Sequence, residues 1–222
     1  MIVFDPVETG AAGSEPGTAT DGEQPARRHL SERQASVMER LVAAAGEEAE
    51  ERGYAEISVR SIAKRAGLAP ATAYTYFSGK DHLLAEVLWR CVQASPHLVD
   101  LSLDLPERVA DTARTMGFAS MSPAAVAACT TALLGDGPDV KRVRSRIGAE
   151  IGRRLAAALG GTPTERAVLP VLQATYTGAL ISAGMGHLDF DAVPGLMADA
   201  ASLMTAGART GGGARAGSVA AR

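Results

Sequence analysis

Residues 57–84, ISVRSIAKRAGLAPATAYTYFSGKDHLL, constrain the fold of this chain more than any other stretch. Ser58 is a good N-cap, because its hydroxyl can accept from a free N–H of the first helical turn. Ile57 before it and Ile62 within the helix are spaced for a hydrophobic staple. Ile62, Ala63 and Ala66 form one inner face, and Gly67 ends the helix where the chain needs a positive φ. Pro70 suits the first position of the next helix, since its missing N–H would be unpaired there anyway. Ala69 before it is a poor cap, costing on the order of 1 kcal/mol against Ser or Thr. This helix ends near Phe77, only two turns on, so its neighbours must hold it. Ser78 and Asp81 fit a capping box that opens a further helix running to Ala94, where Ser95-Pro96 breaks it. The whole reads as a helix-turn-helix on a scaffold helix.

The remaining chain is helical in pattern. Residues 31–52 place Val37, Leu41, Ala45 and Ala49 on one face, with Glu47, Glu48, Glu50 and Glu51 outside and Gly53 as the stop. Five more helices are predicted at 105–118, 123–134, 140–159, 163–187 and 192–206. Their separators are Gly135-Asp136-Gly137-Pro138, Gly160-Gly161 and Leu188-Asp189-Phe190-Asp191. No stretch alternates with period two, so the expected fold class is all-α. The domain organisation predicted is a three-helix module at 31–94 and a larger helical domain at 95–208. The flanks 1–30 and 209–222, poor in apolar residues or rich in glycine, are expected to be disordered.

Bulk properties narrow the function. With 46% hydrophobic residues in 222, the chain can bury a core; its net charge of −3 argues against a wholly basic nucleic-acid coat protein. Two cysteines, Cys91 and Cys129, form no spaced framework and suit a reducing compartment. No signal peptide is visible, and a cytoplasmic location is expected. Residues 167–188 carry no Asp, Glu, Lys or Arg and are long enough to cross a bilayer. Pro170, Gln173 and several hydroxyls favour a helix buried on two faces instead, so no membrane is expected. Lys141, Arg142, Arg144, Arg146, Arg153 and Arg154 read as a solvated face behind the stripe Val140, Val143, Ile147 and Ile151. Arg27, Arg28 and His29 read as linker, with a basic DNA-touching arm as the sharper alternative.

No catalytic constellation is found. Ser61 and Lys64 match a Ser-x-x-Lys pattern without its companion motifs, Gly79-Lys80 is no P-loop, and the four histidines pair with no cysteine at metal spacing. Neither catalysis, a cofactor nor a metal is expected.

The pattern Ile57-x-Val59-x-x-Ile62-Ala63-x-x-Ala66-Gly67-Leu68-x-x-x-Thr72-x-Tyr74-x-Tyr76-Phe77-x-x-Lys80-x-x-Leu83 resembles the tetracycline-repressor-like (TetR) family of regulators. The resemblance covers about residues 33–94. It implies a homodimer with one DNA-reading module per subunit and a larger helical domain that binds an effector and dimerises. Carried over by position, Thr72, Tyr74, Tyr76 and Lys80 contact double-stranded operator DNA, chiefly its backbone. Pro70 and Ala71 fall at base-reading positions, where apolar contact with thymine methyls, Arg60 and DNA shape would carry readout. Ser58 and Thr75 complete the expected DNA-facing set. Helices 163–187 and 192–206, with small Gly178, Ala179, Ser182 and Ala183 and apolar Leu196 and Leu203, are the expected dimer interface.

An effector pocket in the second domain would draw on Trp89, Met116, Phe118 and Met121, with Cys129, Leu133, Gln173 and Tyr176. These residues imply a small hydrophobic ligand. The function expected is ligand-relieved repression. Two alternatives stay open: a regulator of this fold without an effector, and a ligand-binding or interaction protein that keeps the fold but not DNA binding.

Overall fold

In a computed structural model, residues 23–96, 98–116, 121–161 and 163–215 are described, with backbone alone for 23–31, 163–166 and 207–215. The chain divides into two compact units, 1–37 and 38–222. The first is described from residue 23 and contributes the opening turns of α1, Glu23–Glu51. Every later helix belongs to the second.

Beyond α1 come α2 (Val59–Arg65), α3 (Pro70–Tyr76), α4 (Lys80–Ala94), α5 (Leu105–Thr115) and α6 (Pro123–Ala132). Then come α7 (Pro138–Leu159), α8 (Pro163–Gly184), a 3-10 turn at Phe190–Ala192, and α9 (Val193–Arg215). The fold is all-α, and no strand occurs among the described residues. α4 packs on α6 and α7, α5 on α7 and α9, and α8 on α6, α7 and α9. Leu83, Leu84, Leu88, Val109, Met116, Leu155, Leu172, Tyr176 and Met197 are the large side chains at the centre, all essentially sealed from solvent.

Local rules account for most boundaries. Asp104 caps α5 by accepting from Glu107 N at 2.9 Å, and Ser122 caps α6 by accepting from Ala125 N at 3.2 Å. Proline occupies the first turn of α5, α6 and α7, where no intrahelical N–H is lost. α8 stops at Gly184, short of the expected residue 187. Gly186, at φ 76°, lets His187 N reach Ser182 O (2.9 Å) and Gly186 N reach Ala183 O (3.0 Å), a Schellman ending.

Several expectations need correction. α1 begins at Glu23, not near residue 31. Pro25 falls in the first turn, where it is tolerated, and the Ala, Arg and Leu after it are good helix formers. α9 continues past 206 to Arg215, through Gly211–Gly213, each about 1 kcal/mol less favourable than Ala in a helix; nothing in the structure explains that extension. Residues 1–22 and 216–222 lie outside the described set. The capping box at Ser78 and Asp81 does not form. Gly79 is the N-cap of α4 without a side-chain bond, and Asp81 instead accepts from Tyr54 Oη at 2.7 Å.

The basic face of α7 is not wholly solvated. Arg154 is 3% exposed. Its Nε donates to Glu150 Oε1 at 2.7 Å, Nη1 to Ser95 Oγ at 2.7 Å, and Nη2 to Val92 O at 2.5 Å. Val92 and Ser95 lie at the C-terminal end of α4, so this one guanidinium ties α7 to the last carbonyls of α4. Nor is α8 buried on two faces. Ala167, Val171, Ala174 and Gly178 leave an open stripe along it, continued by Met185 just past its end, and Leu196 and Leu203 do so on α9. One window of α8, Ala167–Gly184, is long and apolar enough to cross a membrane, and a third of it is buried within the subunit.

Candidate nucleic-acid interface and bundle cavities

Two caps and a turn set the angle between α2 and α3. Ser58 and Ser61 exchange reciprocal bonds at 3.0 and 3.1 Å, a capping box that opens α2. Ile57 and Ile62 are buried beside it, as a staple requires. At the far end Leu68 N reaches Ala63 O at 2.9 Å and Gly67 N reaches Lys64 O at 3.1 Å, again a Schellman ending, with Gly67 at φ 64°. A Cβ on Gly67 would lie 3.3 Å from Arg40 Nη2, which itself donates to Ala66 O at 2.5 Å. Gly67→Val should therefore cost about 1–2 kcal/mol from the left-handed backbone alone. Urea unfolding measures that loss; an unchanged midpoint would mean that the turn has another conformation.

α3 has no side-chain cap, as Ala69 implies. Its inner face is Ala73 and, just past its end, Phe77, both buried. Pro70, Ala71, Tyr74 and Thr75 face outward, Tyr74 at 61% exposure, and Thr72 and Tyr76 are half-buried. Thr75 Oγ1 donates to Ala71 O at 3.1 Å, so its hydroxyl proton is already used. Ser58 and Arg60 are exposed, and so is Lys64, which was outside the expected set. Residues 57–80 contain no acid, so this face is locally positive on a chain of net charge −3.

Two of its cations are tied down. Arg65 turns back onto α1: Nε donates to buried Glu48 at 2.8 Å, while Nη1 and Nη2 take Glu51. Glu51, and then Glu48, push the Arg65 guanidinium still higher in pKa, so it is a permanent brace. Glu48 Oε2 accepts no hydrogen bond and has Arg52 Nε at 3.7 Å. Lys80 Nζ donates to Tyr54 O at 3.0 Å and lies 3.9 Å from the centre of the Tyr54 ring. An ammonium has three donors, so this contact leaves two for a phosphate. The bond to Asp81 pushes the Tyr54 hydroxyl up to about 12. Tyr54, which the sequence marks only as the apolar residue after Gly53, is thus clasped by both Lys80 and Asp81 at the start of α4.

Among the described residues, two cavities of the bundle stand out. One, of about 250 Å³, lies among α5, α6, α8, the 3-10 turn and α9, with Met121, Val126, Tyr176, Leu180 and Phe190 in its wall. The other, of about 140 Å³, is lined by Leu88, Leu133, Ile147, Ile151, Leu180 and Arg144, with Thr130 and Thr177. Of the expected pocket residues, Met121 and Tyr176 line the first and Leu133 the second. Met116 and Cys129 are core, and Trp89 packs its ring 4.4 Å from the Arg146 guanidinium. Gln173 Nε2 donates to Gly148 O at 2.6 Å, its side chain seated in the notch left by Gly148 and Gly152 of α7. None of these four lines either cavity. Phe118 lies outside the described residues. Leu88 and Ile147 were legible only as core, because a void is a misfit between packed faces that no single face displays.

Known proteins share this organisation. The model for bacterial regulatory proteins of the tetR family matches residues 41–87. An uncharacterized HTH-type transcriptional regulator of Mycobacterium tuberculosis is 40% identical over 186 residues, covering 81% of this chain and 87% of that protein. A TetR transcriptional regulator from Rhodococcus sp. RHA1 superposes with a TM-score of 0.59 at 22% identity, over 79% of this chain and 98% of the other. The multidrug binding protein EbrR, complexed with ethidium, gives a TM-score of 0.56 at 20% identity, over 76% of this chain and 98% of its own. The last two likenesses concern the fold.

Proposed function

This chain belongs to the tetR family of bacterial regulatory proteins, and on that premise we propose that it is a cytoplasmic, homodimeric repressor released from its operator by a small apolar ligand. The observation that carries the reading is the outward face of α3, with Tyr74 and Thr75 beside Arg60 and Lys64 and no acid among residues 57–80. Such a face suits a major groove, with the Tyr74 hydroxyl and the cations on phosphates and Pro70 and Ala71 against base edges. The module that reads DNA is 31–94 and the domain that senses and dimerises is 95–208.

The partner surface is the open stripe on α8 and α9. Val171 is 51% exposed, Met185 61%, Leu196 40% and Leu203 75%. Large apolar side chains on adjacent helices favour a self-complementary four-helix contact. The two cavities support a ligand, as does the fold shared with a protein whose structure holds ethidium. Ligand favours the subunit arrangement in which the two α3 helices are wrongly spaced for successive major grooves.

The test is retention of genomic fragments by the purified protein across a salt series. A discrete fragment bound by two subunits, with affinity falling steeply as salt rises, is the expected result. No retained fragment, or binding indifferent to salt, would refute the DNA-reading function.

A further inference from the structure

We propose that the smaller cavity is a site for a small monocarboxylate of benzoate size, with Arg144 as its anion anchor, and that occupancy loosens the 133–139 loop from the start of α4. This rests on the ligand-relieved reading above and refines its ligand to an apolar body that carries one carboxylate.

Size comes first. The cavity is about 140 Å³. An engineered apolar void of about 150 Å³ in another protein stays dry and holds benzene. A body of about six carbons therefore fits against Leu88, Ile147 and Ile151. Charge comes second. Arg144 is the one cation in the cavity wall, and it is half-buried. Its Nη1 donates to Leu133 O at 2.6 Å and Gly135 O at 3.3 Å. Among the described residues it has no carboxylate within 4.0 Å, and its Nε and Nη2 make no hydrogen bond. The other polar side chains of the wall are spent: Thr130 Oγ1 donates to Val126 O at 2.8 Å and Thr177 Oγ1 to Gln173 O at 2.9 Å. An apolar cavity whose one cation keeps two guanidinium donors without a partner favours a monoanion, because charge-assisted N–H to carboxylate bonds are stronger than neutral ones.

The anchor is also the loop's fastener. Leu133 O and Gly135 O belong to the turn between α6 and α7. Gly135 abuts α4, where a Cβ on it would lie 3.1 Å from Asp81 Oδ2. Asp81 in turn accepts from the Tyr54 hydroxyl, while Lys80 holds the carbonyl and ring of the same tyrosine. At the loop's other end Asp139 Oδ2 lies 3.9 Å from His82 Nδ1. A carboxylate that draws Arg144 away from these carbonyls frees the turn that braces α4 just after α3. Leu88 of α4 lines the cavity itself, so the ligand body presses on the same helix.

Calorimetric titration of the full chain with benzoate, and with neutral benzamide as the matched control, tests the site. Benzoate should bind saturably and about tenfold or more tighter than benzamide. Arg144→Gln should abolish that preference, and Arg144→Lys should restore part of it. Equal binding of the two probes, absence of benzoate binding, or an Arg144→Gln variant that binds benzoate like wild type would overturn the site. If Arg144→Gln does not fold, the wild-type contrast between the probes still decides. Operator retention with and without saturating benzoate is the separate second arm. Weaker retention supports the coupling. Unchanged retention with benzoate bound overturns the coupling and leaves the site standing, and no retention in either condition refutes the DNA-reading function instead.

Discussion

Arg154→Ala should lower the free energy of unfolding by about 3–5 kcal/mol, the usual cost of removing one member of a buried ion pair. Whole domains of this kind are stable by only about 5–15 kcal/mol, so the loss is a large share of the total. The size reflects the position. Arg154 is 3% exposed and serves Glu150, Ser95 and the Val92 carbonyl together. Truncation leaves a carboxylate and the final carbonyls of α4 short of a donor, and leaves a void where the side chain was. Arg153→Ala is the control. It sits one residue away and also binds Glu150, through Nε at 2.8 Å, but 56% of its side chain is exposed; it should change stability little. Urea unfolding of both variants gives the comparison. Equal effects would mean that Arg154 is not buried.

The same cluster sets an acid limit. Arg153, and then Arg154, hold the Glu150 carboxyl down at about 2 from its ordinary 4.5, against the opposing effect of burial. A depressed folded pKa means that the stabilisation is fully present above the ordinary value and is lost as pH falls through the folded one. Glu150→Gln should therefore be less stable than wild type at neutral pH. The gap should close between about pH 4.5 and 2.

Ala71→Glu should weaken operator binding by about 100-fold or more while leaving the thermal midpoint unchanged. Ala71 is exposed on the outer side of α3 and takes no place in the core, so folding has nothing to lose there. On DNA it would face phosphates and base edges, and like-charge contact at an interface costs several kcal/mol, with each 1.4 kcal/mol worth about a factor of ten. Ala157→Glu, on α7, adds the same charge away from this face and should leave binding near wild type. Electrophoretic retention on the fragment recovered from the genome reads both. If the two variants bind alike, α3 is not the face that meets DNA.

Local punctuation was legible. Ser58, Gly67, Pro70, Pro123 and Gly160 mark helix ends through the donors, missing donors or backbone freedom they bring, and the structure uses each in that role. Arg154 was also within reach. It falls in register with Val140, Val143, Ile147 and Ile151, on the stripe and not behind it, and its charge concealed this. The Ser78–Asp81 capping box failed for a different reason. Its spacing was right, but Tyr54, far away in sequence, offers Asp81 a 2.7 Å bond that the local N–H groups do not match.

The sequence by itself determined an all-helical chain with a helix-turn-helix at 57–84, because periodicity, caps and glycine turns act within a few residues of each other. Only the tertiary structure decided which cations are left for a partner. Arg65 is consumed by Glu48 and Glu51, Arg154 by Glu150 and the end of α4, and Lys80 in part by Tyr54, whereas Arg144 spends only Nη1, on two loop carbonyls, and meets no carboxylate among the described residues. Charge in a sequence is only a count. Whether it is spent depends on which carboxylates and carbonyls the packing of distant helices brings within hydrogen-bonding distance.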